Sequence, residues 1–282
     1  MGFRVSKNGY RTYVRIGTPG TIGPYQPGDD VIRGIELTLG NIARHVFRGS
    51  VTAVGEGRAK LFGVGLYTVP ESVSVIKYRL GNRVDGRLLL RWANGRKELA
   101  KEYSAIIGAP LEIRGSYLFT FSQLIELLMI AAFRSHGIKP RVIRDAYRRA
   151  RAKFGEHPFA REGYRTDGVY IYTGSDEPAS EELSKQQIFF EEVVRPILMD
   201  VSYIEGSAAQ FSPLGKDRSI VLDPRLSFGA PVDRSSGVST AVLYSMRRSG
   251  EPEESVADWY GVSVLAVRDA FEYESSVRKI AA

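Results

Sequence analysis

The sequence has no cysteine among its 282 residues. This absence excludes disulfide frameworks, cysteine-ligated zinc or iron–sulfur sites, and cysteine nucleophiles. Because nothing in the composition requires an oxidising compartment, we expect a cytoplasmic protein.

Histidine and clustered carboxylates are scarce as well. The three histidines, His45, His136 and His157, are far apart and match no metal-binding spacing. The acidic pairs at 181–182 and 191–192 consist of adjacent residues, which do not face each other on a helix. We therefore predict no metal, no cofactor and no enzymatic activity.

Long hydrophobic runs are missing too. The longest mostly apolar stretch, residues 124–133, contains Glu126 and is shorter than the ~20 residues that a membrane-spanning helix needs. The N-terminus has no apolar signal core. We expect neither a membrane partner nor a signal peptide.

The net charge of +7 is unevenly distributed along the chain. Residues 134–165 hold ten lysines and arginines against three acids, a net +7, and residues 67–103 hold eight against four, a net +4. Residues 249–274 hold one arginine against seven acids, a net −6. This distribution predicts two partners of different character, with phosphates meeting only the basic part.

The chain is predicted to be mainly α (α+β), with a β-rich N-terminal segment. Alternation over residues 11–16 indicates a strand, and the Gly- and Pro-rich stretch 17–30 indicates a loop. The predicted divisions are a glycine-rich β segment at 1–64, a DNA-binding region at 65–204, a linker at 205–219 and a three-helix domain at 220–282.

Two short helices are predicted in the first basic region. Thr68 and Glu71 have the spacing of a capping box, and turn residues 81–86 separate this helix from a second one at 87–94. The arrangement fits a helix-turn-helix, and it fits equally a helical hairpin with a solvated basic face. The candidate DNA-binding residues here are Arg83, Arg87, Arg91, Arg96 and Lys97.

Two longer helices are predicted at 119–136 and 140–154. In the second, apolar residues recur at three- and four-residue steps, which predicts one buried face. An arginine row occupies the other face, where like charges repel by a few tenths of a kcal/mol per pair. An anionic partner explains this row, and so does a merely solvated face. The further candidate DNA-binding residues are Arg141, Arg144, Arg148 and Arg151.

Three segments lie between these helices and the last module. Residues 164–172 predict a hairpin around an Asp-Gly turn, which would act as a wing on DNA or as a packing ribbon. Residues 180–199 predict a helix with Ile197 and Leu198 buried. Residues 205–237 are predicted to be mostly loop, with one short strand at 220–222.

The last module is predicted to contain three helices, at 240–248, from Pro252, and after the cap Ser263. Within it, Ala257, Gly261 and Val267 have the small, glycine and branched spacing of a helix-turn-helix, and residues 270 and 271 continue the core stripe. Because the module is acidic, we predict that this shape serves protein contact, as a dimer interface or a grip on a basic partner. The predicted exposed positions are Ser263, Val264, Leu265, Arg268 and Asp269.

Several motifs occur in a recognisable order from Phe154 onward: Phe154-Gly155, His157-Pro-Phe-Ala160, Thr166-Asp-Gly168, Ile220-Val-Leu-Asp-Pro-Arg225 and Phe228-Gly-x-Pro-Val232. This succession resembles the VapB-like antitoxins. Those proteins join a MerR-like N-terminal DNA-binding helix-turn-helix to a small C-terminal three-helix domain, family 433 of the domains of unknown function. The resemblance covers roughly residues 65 to 276.

The resemblance implies an antitoxin encoded beside a PIN-like ribonuclease toxin. Such a protein would bind and block the toxin and, as a homodimer on operator DNA, repress the shared operon. Two alternatives remain open: a stand-alone transcriptional regulator without a toxin partner, and a subunit of a nucleic-acid-processing enzyme.

Overall fold

The structure, a computed structural model, describes residues 4–5, 11–12, 64–81, 84–98, 101–113, 115–165 and 190–281. The chain divides into two compact units, Met1–Lys60 and Leu61–Ala282. In the first unit, strands β1 (Arg4–Val5) and β2 (Arg11–Thr12) pair antiparallel. The remainder of the predicted β segment and loop lies outside the described residues.

The second unit is mainly helical with small antiparallel sheets, which confirms the predicted mainly α (α+β) class. Its first part contains β3 (Leu66–Thr68), α1 (Val69–Leu80), α2 (Gly86–Asn94), β4 (Arg96–Glu98), β5 (Lys101–Tyr103), β6 (Leu111–Ile113), β7 (Ser116–Thr120), α3 (Phe121–Ser135), α4 (Pro140–Phe154) and a 3-10 turn at Pro158–Ala160.

The described chain then continues with a π-helical turn (Phe190–Val194), α5 (Arg195–Met199), β8 (Val201–Ile204), β9 (Ser207–Phe211), β10 (Ile220–Leu222), a 3-10 turn (Ser227–Gly229), β11 (Pro231–Asp233), α6 (Thr240–Arg248), α7 (Glu253–Tyr260) and α8 (Val264–Ala281). The predicted hairpin lies outside the described residues from 166 onward. Ile197 and Leu198 are buried as predicted.

The described antiparallel sheets of this unit mostly pair consecutive strands, and the pairing of β3 with β7 joins two segments that are distant in sequence. Strand β7 lies between β3 and β6, β4 pairs with β5, and a four-stranded sheet has the order β11-β10-β9-β8. The prediction of mostly loop over 205–237 is wrong for β9 and β11. The missed signal is a tight turn, because Glu205 (φ 50°) and Gly206 (φ 71°) both adopt the left-handed conformation that a two-residue hairpin requires.

Helix α3 forms the centre of the main hydrophobic core. Its start is fixed by a capping box between Thr120 and Gln123, and its side chains are buried from residue 123 to residue 133. Helix α4 has the predicted bounds, and its predicted apolar face is buried against this core at Ile143, Ala146, Tyr147 and Ala150. Among the described residues, no helix is long and apolar enough to cross a membrane.

A second, smaller core is formed by the last three helices together with residues of the preceding segment, including Ile220 of β10. Its buried members are Ile220, Val238, Leu243, Val256, Ala257, Val267 and Ala270. The bounds of α6 and α7 and the start of α8 agree with the prediction, and Gly261 ends α7 in the left-handed conformation (φ 61°).

Candidate functional site

The first helix pair is built from two well-defined caps. The Thr68 hydroxyl accepts from the Glu71 backbone N–H, and the Glu71 carboxylate accepts from the Thr68 N–H at 2.8 Å, as the capping-box spacing predicts. Helix α1 ends at Gly81 in the left-handed conformation. Asp85 then caps α2 by accepting from the Leu88 N–H at 2.7 Å.

A close approach between the two helices depends on a glycine. A Cβ atom placed on Gly86, the first residue of α2, would lie 2.7 Å from Val69 Cγ1 at the start of α1. The sequence indicated Gly86 only as a turn residue, because the contact with α1 is visible only in three dimensions.

Two arginines occupy the exposed face of α2. Arg87 and Arg91 are four residues apart and exposed, while Leu89, Trp92 and Ala93 are buried on the opposite face. Neither arginine forms a salt bridge with any residue that the structure describes. Their guanidinium groups are therefore available to an anionic partner.

A β-hairpin follows α2 directly. Strands β4 and β5 pair in register from Arg96↔Tyr103 to Glu98↔Lys101, with Lys97 opposite Glu102. The predicted site residues Arg96 and Lys97 thus lie on the first strand of this hairpin. The candidate wing was predicted at 164–172 instead, and the pattern of residues 96–103 did not indicate this hairpin. Arg83 lies outside the described residues.

Three arginines of the row on α4 are exposed, Arg144 is half-buried, and most of the row is engaged within the protein. Arg148 forms an ion pair with Asp145, and Arg151 with Glu156. Arg141 is exposed and has no salt-bridge partner among the described residues.

The fourth member of the row, Arg144, holds a loop in place. Its Nη2 donates to the Ser104 carbonyl at 2.6 Å and its Nε to the Ala105 carbonyl at 3.3 Å. Arg144 therefore links α4 to the segment that follows the hairpin, and two of its five N–H groups are used there.

A buried glutamate is paired with a partly exposed histidine at the end of the core below α4. Glu126 of α3 is fully buried, and its Oε2 is 3.0 Å from His157 Nδ1. Burial raises the pKa of Glu126, and the hydrogen bond to Glu126 raises the pKa of His157. Both shifts favour retention of a proton by the pair. Among the described residues, no group of three or more His, Asp or Glu side chains is placed to hold a metal ion.

The positions of the last module that were predicted to be exposed differ in their actual exposure. Leu265 is 51% exposed and Val264 is half-buried, while Ser263 is exposed and accepts from the Ala266 N–H, as an N-cap does. Arg268 is exposed and its Nε donates to Glu253 Oε2 at 2.5 Å.

Two expectations for this module are wrong. Asp269 is fully buried. Its carboxylate is satisfied there because it accepts from Arg218 Nε and the Ser219 N–H, both at 2.8 Å. Phe271 is 40% exposed and stacks on Tyr244 outside the core, so the core stripe continues only through Ala270. Both side chains were assigned from helical spacing alone, which ignores what lies beside the module.

The last module is joined to the first helix pair through α8. The Tyr78 hydroxyl of α1 donates to Glu272 Oε1 at 3.4 Å, and its ring meets Tyr273 edge-on at 5.1 Å between centroids. Burial, together with the neighbouring Glu272 carboxylate, raises the pKa of Tyr78 to about 12. Arg218 binds Asp269 and Glu272 at once, so the junction forms one hydrogen-bonded network.

Comparison with known proteins identifies a curated relative and a solved structure to which the chain is similar. The chain is 28% identical over 231 residues to a Mycobacterium tuberculosis protein named "Putative antitoxin VapB45", a match that covers 75% of this chain and 94% of that protein. It is similar to the X-ray crystal structure of Rv2018 from Mycobacterium tuberculosis, with 28% identity, a TM-score of 0.59, and coverage of 74% of this chain and 98% of that one. No protein-family model matches the chain.

Proposed function

We propose that this protein is an antitoxin that binds operator DNA, neutralises a PIN-like ribonuclease toxin and represses its own operon. Similarity over three quarters of the chain to a protein named as an antitoxin supports the antitoxin role. In this proposal the protein is a regulator and not an enzyme, and it works in the cytoplasm where its operator lies.

One observation carries the DNA-binding half of the proposal. Arg87 and Arg91 project from the exposed face of the second helix of a helix–turn–helix–hairpin succession, and neither is neutralised by a described neighbour. In DNA-binding helix-turn-helix proteins, the second helix enters the major groove. We therefore assign α1, α2 and the β4–β5 hairpin to a MerR-like unit, with the hairpin as its wing.

The other basic residues have supporting roles in this proposal. Arg96 and Lys97 on the hairpin would meet the phosphate backbone, as would Arg83 in the turn. On α4, Arg141 is the best placed, while Arg144, Arg148 and Arg151 are partly engaged by neighbours. A homodimer would read two operator half-sites, since helix-turn-helix proteins bind in that way.

The C-terminal three-helix domain, which resembles family 433 of the domains of unknown function, would supply the protein contact. Its acidic character opposes phosphate binding. Val264, Leu265 and Arg268 remain its candidate contact residues, and buried Asp269 supports them from below.

A salt titration tests the DNA-binding half. The purified protein is titrated with the duplex upstream of its own gene, against a scrambled duplex of equal length, at several salt concentrations. Arg87→Ala and Arg91→Ala should each weaken binding and reduce the salt slope by about one. Lys279→Ala, which removes an exposed charge from α8, serves as the matched control and should leave the slope unchanged.

Other outcomes would change the proposal. Equal slopes for the wild type and both α2 variants would exclude Arg87 and Arg91 as phosphate contacts. Specific DNA binding with no nuclease encoded nearby would leave a stand-alone transcriptional regulator. EDTA-sensitive hydrolysis of RNA or DNA by the purified chain would overturn the assignment as a non-enzyme.

A further inference from the structure

The exposed face of α2 carries a third polar side chain beside its two arginines. Residues 87, 91 and 94 are separated by four and then three positions, so they share one face of the helix, opposite the buried Leu89. Asn94 is exposed, as are Arg87 and Arg91. These three side chains, here called the α2 stripe, form the surface that α2 presents to a partner.

The side-chain amide of Asn94 has no task within the described protein. It forms no hydrogen bond with any residue that the structure describes. The end of α2 is closed by the backbone instead, since the Gly95 N–H donates to the Arg91 carbonyl at 3.0 Å. Both the donor and the acceptor of the Asn94 amide are therefore available to a ligand.

The C-terminal end of α2 holds Asn94 in a defined position. The Ile106 N–H donates to the Trp92 carbonyl at 2.7 Å, and the Trp92 side chain is buried in the main core. Helical side chains lean towards the N-terminus of their helix, so the Asn94 side chain covers the turn that contains Arg91. It thus lies beside the arginines and on a rigid element, as a specific contact requires.

The members of the α2 stripe differ in what they can recognise on DNA. In the proposed function, Arg87 and Arg91 meet phosphates, which carry no sequence information. Asn94 is neutral and releases no counterions from the phosphate backbone. A side-chain amide does match the major-groove edge of adenine, because its NH2 group donates to N7 and its oxygen accepts from N6. Asn94 is thus suited to base selection and the arginines to phosphate binding.

A half-buried leucine beside Asn94 favours the same kind of base pair. Leu90 lies one helical turn before Asn94 and packs against the main core, while part of its side chain remains exposed. In the major groove, an A·T pair presents the thymine methyl group next to N6 and N7 of adenine, whereas a G·C pair has no methyl group. An amide with an apolar neighbour therefore complements an A·T pair.

The dimensions of α2 fit the major groove. The helix has nine residues. The seven steps from Arg87 to Asn94 span roughly 10 Å at 1.5 Å per residue. This length corresponds to about three base pairs at 3.4 Å each. The stripe can therefore contact phosphates at one end and a base edge at the other.

We propose that Asn94 is a specificity-determining residue that reads the adenine of one A·T base pair in each operator half-site, with Leu90 against the thymine methyl group. This inference rests on the proposed operator binding and deepens it, because it names the base pair that α2 selects. Arg87 and Arg91 supply most of the affinity, and Asn94 supplies selectivity.

Base-substituted duplexes test the proposal. In the duplex upstream of the gene, each A·T pair is replaced in turn by G·C, and the affinities of the wild type and Asn94→Ala are measured by fluorescence anisotropy at one salt concentration. At one position in each half-site, the replacement should weaken wild-type binding roughly tenfold, as loss of a bidentate base contact does, and leave Asn94→Ala binding unchanged. 7-Deazaadenine at that position, which lacks the N7 acceptor, should also weaken wild-type binding.

Two comparisons separate base reading from other effects of the substitution. Because Asn94 is neutral, Asn94→Ala should retain the wild-type salt slope, in contrast to Arg87→Ala. Ser249→Ala, which removes an exposed polar side chain from the C-terminal end of α6, is the matched control and should bind every duplex like the wild type.

The outcomes distinguish this inference from the proposed function. If Asn94→Ala shares every base preference of the wild type, with an unchanged thermal unfolding midpoint, the role of Asn94 is wrong and operator binding stands. An equal loss of Asn94→Ala affinity for the upstream and the scrambled duplex would also overturn that role, since a base contact must discriminate. A wild type that binds both duplexes equally would overturn operator binding and the role of Asn94 together.

Discussion

At the scale of single residues, burial decides which charged groups are structural and which are available to partners. Glu126 and Asp269 are both fully buried, and each is held by a specific cationic or proton-donating neighbour. Arg87 and Arg91 have no such neighbour among the described residues. The sequence does not distinguish the buried charged residues from the exposed ones, because charge alone does not reveal which side chains the fold encloses.

The Glu126–His157 pair predicts a pH dependence of stability. Because both pKa values are raised in the folded state, the folded protein binds more protons than the unfolded chain. The stability from His157 is fully present below its ordinary pKa of 6.5 and is lost as pH rises through the higher folded value. The free energy of unfolding should therefore decrease as pH rises above about 6.5.

Urea unfolding of the wild type and of Glu126→Gln, measured between pH 6 and pH 9, checks this expectation. The variant lacks the carboxylate that raises the histidine pKa, so its stability should change less across this window. A wild-type curve that runs parallel to the variant curve would exclude a role for the pair.

At the scale of the elements, the helices were the most predictable part of the fold. The cap at Thr68, the glycine stops and the apolar stripe of α4 are signals contained in neighbouring residues, and the structure has the corresponding helices. The strands of the four-stranded sheet were less predictable. Each has only three to five residues, and strand propensity over so short a segment depends strongly on the side chains that pack around it.

The close contact between α1 and α2 at Gly86 predicts the effect of a small substitution. Gly86→Ala should destabilise the protein by roughly 1–3 kcal/mol, although alanine favours helices, because the new methyl group would overlap Val69 Cγ1. Chemical denaturation of Gly86→Ala, Val69→Ala and the double variant forms a thermodynamic cycle. The double variant should be more stable than the sum of the single effects predicts. If the effects of the two single substitutions simply add, the contact between residues 86 and 69 is not the cause of the lost stability.

At the scale of the whole molecule, α8 makes the acidic module and the basic helix pair parts of one unit. Tyr78, Arg218 and Glu272 meet at this junction, although they are far apart in the sequence. The C-terminal domain proposed for protein contact and the helix pair proposed for DNA binding therefore touch each other through α8 and α1.

Removal of Arg218 should weaken this junction. Arg218→Ala leaves Asp269 buried with fewer donors, and breaking such a pair costs about 3–5 kcal/mol when both partners are buried. Because the Arg218 side chain is 34% exposed, solvent screening reduces the expected loss to about 2 kcal/mol.

Urea unfolding midpoints measure the loss of stability, with Lys216→Ala as a control that removes an exposed nearby cation. A difference between Arg218→Ala and this control of less than about 0.5 kcal/mol, the range of ordinary surface substitutions, would contradict a structural role for the network.

Most helices of the described chain could be predicted from the amino-acid sequence alone, and so could the buried face of α4, the acidic character of the last module and the arginine pair on α2. These features depend on periodicity, caps and composition, which are local properties. The burial of Asp269, the contact of Arg144 with a loop and the exposure of Trp259 could be seen only in the folded chain. Those outcomes depend on contacts between distant segments, because a side chain's role is set by what packs against it.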